Sequence, residues 1–198
     1  MTRLSALVPI LLLCITSAAR GQQLNNDYFF DRANRELSQL LGNVDKYHLE
    51  GCSRGTVTRQ YESAVGDCAF ILRYFPNHPK ALLSLADNCL AWKNPRCNPD
   101  PFFEQAVAVN PKAAGTYVAK GIYLERAQRV DEAVASLEQA IVLDPDSMNA
   151  HYNLGLAYMD AKKYERANEH AQRAYALGAP VPGLRERLKK VGYWKPAD

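Results

Sequence analysis

Four histidines, His48, His78, His151 and His170, and five cysteines have the widest chemical repertoire in this chain of 198 residues. His48 and Cys52 stand four positions apart, a spacing that puts both on one face of a helix, where they could supply half of a zinc site. Zinc needs three or four ligands, and the remaining candidates lie in other segments, so no metal is expected. No glycine-rich phosphate loop, nucleophile elbow or Cys-x-x-Cys-His haem attachment occurs. The neighbouring carboxylates Asp131 and Glu132 fall at a predicted helix start, where they offset the helix dipole. These residues predict neither an enzyme nor a bound cofactor.

The elements that hold them belong to an ordinary globular chain. Hydrophobic residues make up 47% and charged residues 23%, with a formal net charge of +3. Removing Arg3 and Arg20 with a leader leaves 22 basic against 21 acidic residues. A nucleic-acid binder should show a basic stripe with interleaved aromatics. The nearest run, Arg185 to Lys190, contains Glu186 and suits the solvated face of a final helix.

Residues 1–21 have the parts of a secretory signal: Arg3, an apolar run from Leu4 to Ala19, then small residues around Ala18-Ala19-Arg20-Gly21. Cleavage is expected after Ala19 or Gly21. The alternative, a retained anchor, meets a run that contains Pro9 and falls short of the roughly 20 residues a membrane span needs. Cys14 then leaves with the leader, since Leu13 before it is too bulky for a lipid-attachment motif. Cys52, Cys68, Cys89 and Cys97 remain. An even number in an exported chain favours two disulfides, with three possible connectivities. Cys89 with Cys97, flanking an Asn- and Pro-rich loop, and Cys52 with Cys68 is the preferred set. Four buried thiols on helix faces is the alternative. The absence of a Cys-x-x-Cys spacing argues against a redox role.

The chain repeats itself every 34 residues. Laying 148–181 beneath 114–147 puts Gly155 under Gly121, Ala167 under Ala133, Ala174 under Ala140 and Leu177 under Leu143. His151 falls under Tyr117, which marks it as a bulky packing residue. One copy earlier, Phe103, Ala106, Val109 and Pro111 keep the register, and a further copy is visible in Tyr61–Pro76, slipped by one residue. Each copy predicts two helices joined by a short polar turn. Mid-helix glycine costs about 1 kcal/mol against alanine, which close approach of the partner helix would offset. Pro111 and Pro145 end their helices, with Asp146 or Ser147 available as the next N-cap.

Tyr152-Asn153-Leu154-Gly155 with Tyr158, Ala167 and Ala174, echoed by Gly121, Ala133, Ala140 and Pro145, resembles the tetratricopeptide repeat. That resemblance is specific over roughly Ala113–Gly178. It implies an all-α solenoid of stacked antiparallel helix hairpins with a concave groove. The expected organisation is a degenerate N-terminal helical hairpin at 22–79, a degenerate repeat at 80–113 and two regular repeats at 114–147 and 148–181. A capping helix and tail at 182–198 complete it. Asn94-Pro95-Arg96-Cys97-Asn98-Pro99 is expected to break the helix in the 80–113 repeat, and Gly51–Gly55 to interrupt the first. In the tail, Leu184, Leu188 and Val191 form an apolar stripe on which Tyr193 and Trp194 fold back. The tail is similar to those of exported bacterial repeat proteins, which implies a periplasm.

Ligands of the family lie on the first helix of each pair. Carried over, the groove candidates are Val118, Ile122, Glu125 and Arg126, then Asn149, Tyr152, Asn153, Leu156 and Asp160, of which Ile122 and Leu156 could equally be core. Such a mixture suits an extended peptide or helix of a protein partner. A carboxylate clamp of the family's kind is incomplete: Asn153 supplies its amide, but Ala119 and Gly115 stand where a second amide and a lysine belong. The expected function is a non-enzymatic adaptor or scaffold in the cell envelope. A chaperone-like holder of unfolded exported chains and a cysteine-based redox or metal protein are the alternatives.

Overall fold

The computed structural model describes residues 26–29 and 34–195. The expected leader, 1–21, lies outside them, as do tail residues 196–198. Ten α-helices account for the described chain, with no strand among the described residues. The first is α1 (Arg35–Val44), which passes through a π-helical turn, Asp45–Leu49, into α2 (Glu50–Thr58). Then come α3 (Tyr61–Tyr74), α4 (Pro79–Trp92), α5 (Asp100–Val109), α6 (Ala114–Arg126) and α7 (Val130–Leu143). The chain closes with α8 (Met148–Asp160), α9 (Tyr164–Ala176) and α10 (Gly183–Lys190).

Local chemistry sets the boundaries. Asn34 caps α1 by accepting from the backbone N–H groups of Glu36 and Leu37, and Ser147 caps α8 through Ala150 N–H. At α4 the cap is His78, whose Nδ1 accepts from Ala81 N–H at 3.1 Å, followed by Pro79 in the first turn, where its missing N–H costs nothing. A left-handed residue closes the turn after α2, α4, α6 and α8: Arg59, Lys93, Gln128 and Lys162. These four fall almost on the sequence period.

The architecture is an all-α solenoid. α2 pairs with α3, α6 with α7 and α8 with α9, while α2, α4, α6, α8 and α10 follow one another along one side of the stack. Each hairpin buries small residues against large ones. Ala133, Ala140, Ala167 and Ala171 are buried beside Leu137, Leu154 and Tyr158. α5 departs from the pattern. The loop after Lys93 carries it onto α6, where Phe103 stacks flat on Tyr123 at 5.0 Å. Arg129 grips the start of α5 through both Asp100 oxygens, at 2.8 and 2.9 Å, and also holds Glu132.

Two disulfides staple the N-terminal half. Cys52–Cys68 ties α2 to α3, and Cys89–Cys97 ties the end of α4 to the loop before α5. At the other end α10 covers the last hairpin with Leu184 and Leu188, both fully buried, which stabilises by about 2 kcal/mol for each side chain. Tyr193 packs on Tyr164 and Trp194 on Tyr175. Val191 departs from the expected stripe: the helix ends at Lys190 and leaves it on the surface.

Gly51–Gly55 also departs from expectation. It does not interrupt the first hairpin but lies inside α2. The reason is steric. A Cβ on Gly55 would overlap the Ala64 methyl and the Asn88 side-chain oxygen, so glycine there lets α2 lie against α3 and α4. Gly66, in the middle of α3, has nothing within 4 Å of where its Cβ would be. Gly55→Ala is therefore expected to lower the free energy of unfolding by about 1–3 kcal/mol. Gly66→Ala should raise it by about 1 kcal/mol. Urea titration of both variants checks the pair, and equal shifts would contradict the packing described.

Candidate functional site

Successive first helices bring one stripe each to the concave side. α4 supplies Pro79 and Leu83, α6 supplies Gly115, Val118, Ala119 and Ile122, and α8 supplies Asn149 and Asn153. Steps of three and four residues keep each stripe on one helix face. Between them lies a hollow of about 380 Å³, with Ser147 at its edge and Phe29 of the N-terminal segment seated in it. The floor is aliphatic and the rim carries hydroxyl and amide groups. No lining residue titrates near neutral pH, so the hollow can desolvate a side chain and hydrogen-bond a backbone but cannot move a proton. A hollow of similar size between α2 and the start of α3 is lined by Lys46, Glu50, Arg54 and Gln60; it is a solvated charged face.

Four of the nine groove candidates meet in the hollow: Val118, Ile122, Asn149 and Asn153. Val118 is buried against Ala140 and Ala150 as well, so it serves the joint between repeats and the floor together. Asn153 donates its amide to Asn149 C=O in its own helix at 2.7 Å. The other five candidates face different neighbours. Arg126 forks both Asp87 oxygens at 2.6 and 2.8 Å, and Arg187 pairs with Asp160. Glu125 lies beside Asp160, and burial together with that carboxylate pushes its own carboxyl up. These charges join α4 to α6 and α8 to α10. The Tyr152 hydroxyl accepts from Leu184 N–H at 3.3 Å and so holds the capping helix. Leu156 packs on the core.

The sequence contained a signal for Leu83, which stands one copy before Val118 once the register slips by a residue. Phe29 left none, because nothing near it in the chain repeats. The four cysteines form the two bonds described, and His48 Nδ1 donates to Asp67 at 2.8 Å. No group of three or more metal-ligating side chains gathers among the described residues.

Behind the α8 wall sits a paired histidine. His151 Nε2 lies 3.0 Å from Pro145 C=O, the bond that Tyr117 OH makes to Pro111 C=O one repeat earlier. The two side chains share one slot, as their register predicts. A carbonyl can only accept, so Nε2 of His151 carries the proton. Its Nδ1 then accepts from His170 Nδ1, 3.0 Å away. His170 stacks on Tyr158, whose hydroxyl donates to Glu138 at 2.6 Å and receives from Arg166. Burial first, then the charge His151 can carry, lowers the His170 pKa from 6.5 to about 4.

Comparison with known proteins agrees with the helical repeat fold. Residues 126–162 match the family described as TPR repeat. Among solved structures, that reported for the functional characterization of Pseudomonas aeruginosa pilF is similar, with 21% identity and a TM-score of 0.59 over 77% of this chain and 69% of that one. The MamA protein is similar at 18% identity and a TM-score of 0.51, over 74% of this chain and 80% of that one. YrrB, described as a TPR protein with an unusual peptide-binding site, has 21% identity and a TM-score of 0.50, over 81% of this chain and 87% of that one. At these identities the likeness is one of fold.

The histidine pair makes stability depend on pH. The unfolded chain protonates His170 near 6.5 and the folded chain only near 4. The unfolded state therefore binds the extra proton between those values. The stabilisation is complete above about pH 6.5 and lost as pH falls toward 4. The urea midpoint is expected to drop from pH 7 to pH 4.5, and His170→Gln should make that slope shallower. An unchanged slope in the variant would remove His170 as its cause.

Proposed function

We propose that the chain, whose residues 126–162 match the TPR repeat family, is a non-enzymatic scaffold that holds an extended segment of a partner protein in the groove between α4, α6 and α8. One observation carries this reading: three helices converge on an aliphatic floor with an amide and hydroxyl rim and no titratable group. Such a lining fits a peptide, whose side chains need desolvation and whose backbone needs hydrogen-bond partners. It offers nothing to a reaction. The peptide-binding site for which YrrB is described supports the same class of occupant. Ile122, Asn149 and Asn153 are the contacts assigned here, with Val118 shaping the floor beneath them.

The same proposal places the chain outside the cytoplasm. Its support is the leader at 1–21 and the two disulfides, which form and persist in oxidising compartments. Among the described residues no helix is long and apolar enough to cross a membrane. On this reading the chain recovered from its native cell begins at Arg20 or Gln22 and lacks the four hydrogens of two disulfides. Intact mass spectrometry checks both, and a full-length chain with all five thiols free would overturn the assignment.

The binding face is tested by photocrosslinking in the native cell. A photoreactive residue at position 153 is expected to give a discrete adduct with one partner. The same residue in place of Val142, 73% exposed on α7, should give none. Ile122→Asp, which puts a charge into the aliphatic floor, should weaken the 153 adduct about tenfold, or about 1.4 kcal/mol. Equal labelling from 142 and 153 would sink the groove assignment, and a ladder of many partners at 153 would instead mark a holder of unfolded chains.

A further inference from the structure

The groove already contains a peptide, and the peptide belongs to this chain. Asp27 places one carboxylate oxygen 2.7 Å from the Asn77 side-chain amide and the other against the amide of Asn110. Asn77 precedes α4 and Asn110 precedes α6, so one aspartate bridges two successive repeat turns. Asn77 also accepts from Tyr28 N–H at 2.7 Å, completing a two-way amide bond to the segment. The Tyr28 ring lies on His78, with centroids 4.5 Å apart. Phe29 then enters the hollow over Gly115.

These contacts have the form of ligand recognition. Asn110 is held by its own turn, where its side-chain oxygen accepts Lys112 N–H at 2.9 Å and leaves its amide donor to the aspartate; Asn77, fully buried, spends both ends of its amide on the segment. The position one repeat beyond Asn110 is Asp144, where a second carboxylate would be repelled, so the register of an acidic peptide is set at the first two turns. Gly115 is shaped for a ring. A Cβ there would come within 2.6, 2.8 and 3.6 Å of Phe29 ring atoms, and these are its three nearest neighbours. Yet Phe29 remains 40% exposed at the rim, well short of the burial of a core aromatic.

We propose that Asn26–Phe29 is a resident ligand of the groove, displaced by a partner whose segment carries an aspartate two residues before an aromatic side chain. The proposal rests on the groove reading above and adds the chemistry of the occupant. A tethered segment acts at an effective concentration in the millimolar range. A partner peptide of comparable intrinsic affinity therefore competes poorly until the resident segment is weakened, and the segment sets the affinity that a true partner must exceed.

The probe is a fluorescent hexapeptide with the sequence of residues 25–30, Asn-Asn-Asp-Tyr-Phe-Phe, titrated onto the full mature chain. Asp27→Ala combined with Phe29→Ala is expected to bind it at least tenfold more tightly than wild type. Adding Asn77→Ala and Asn110→Ala should abolish that gain. A separate arm leaves the segment intact: Gly115→Ala pushes against the Phe29 ring alone, and should speed chymotrypsin cleavage at Tyr28–Phe29 at least tenfold without lowering the melting temperature. Equal peptide affinity of wild type and a folded double variant, or unchanged cleavage in Gly115→Ala, overturns the proposal. Should the 153 crosslink still capture a partner in that case, only the resident-ligand inference falls. Should the hexapeptide bind as expected while no partner crosslinks, the groove serves its own segment and the scaffold reading falls instead.

Discussion

The stacking of the repeats depends on one helix presenting little or no side chain where its neighbour presents bulk. Gly121 receives Leu137, Gly155 receives Leu184, and Gly55 receives Ala64 and Asn88. Dispersion and apolar burial reward only contact at van der Waals distance, so a methyl group in the wrong place pries a joint apart. The 34-residue period is the trace of this requirement. A small residue must recur at each crossing, and the distance along the chain between crossings is fixed by two helices and two turns.

A stack of this kind has no single core to stabilise its ends. Each hairpin leans only on its neighbours, and a joint weakened by irregular sequence must be reinforced locally. The two regular hairpins, α6–α7 and α8–α9, have no cross-link and are closed by α10. The irregular half is different. There α1 passes through a π-helical turn into α2 and α5 is displaced onto α6, and both disulfides are found in this half. Cross-links stabilise chiefly by constraining the unfolded chain, and here they do so where the native packing is least repetitive.

The inner surface is what the stack leaves unconsumed. Asp87, Arg126, Asp160 and Arg187 neutralise one another between helices, so they hold the stack together and offer little net charge to a ligand. What is left is an aliphatic floor, a few amides and the asparagines of the repeat turns. An aspartate can still be read there, because Asn77 and Asn110 donate to it without bringing a charge that must be desolvated.

The repeats, the all-helical class, the proline-ended turns and the capping helix were legible in the chain, because each follows from the spacing of residues a few positions apart. The slot shared by Tyr117 and His151 was legible for the same reason. Tertiary structure decided the rest. It made Gly55 a packing surface instead of an interruption, turned Tyr152 toward the cap, and paired Glu125, Arg126 and Asp160 with partners from other helices. It also brought Asp27 to Asn110 across 83 residues of chain. Periodicity records which face of a helix is apolar. It holds no information about which side chain from a distant segment will occupy that face, since such a contact is selected by shape and by paired donors and acceptors in three dimensions.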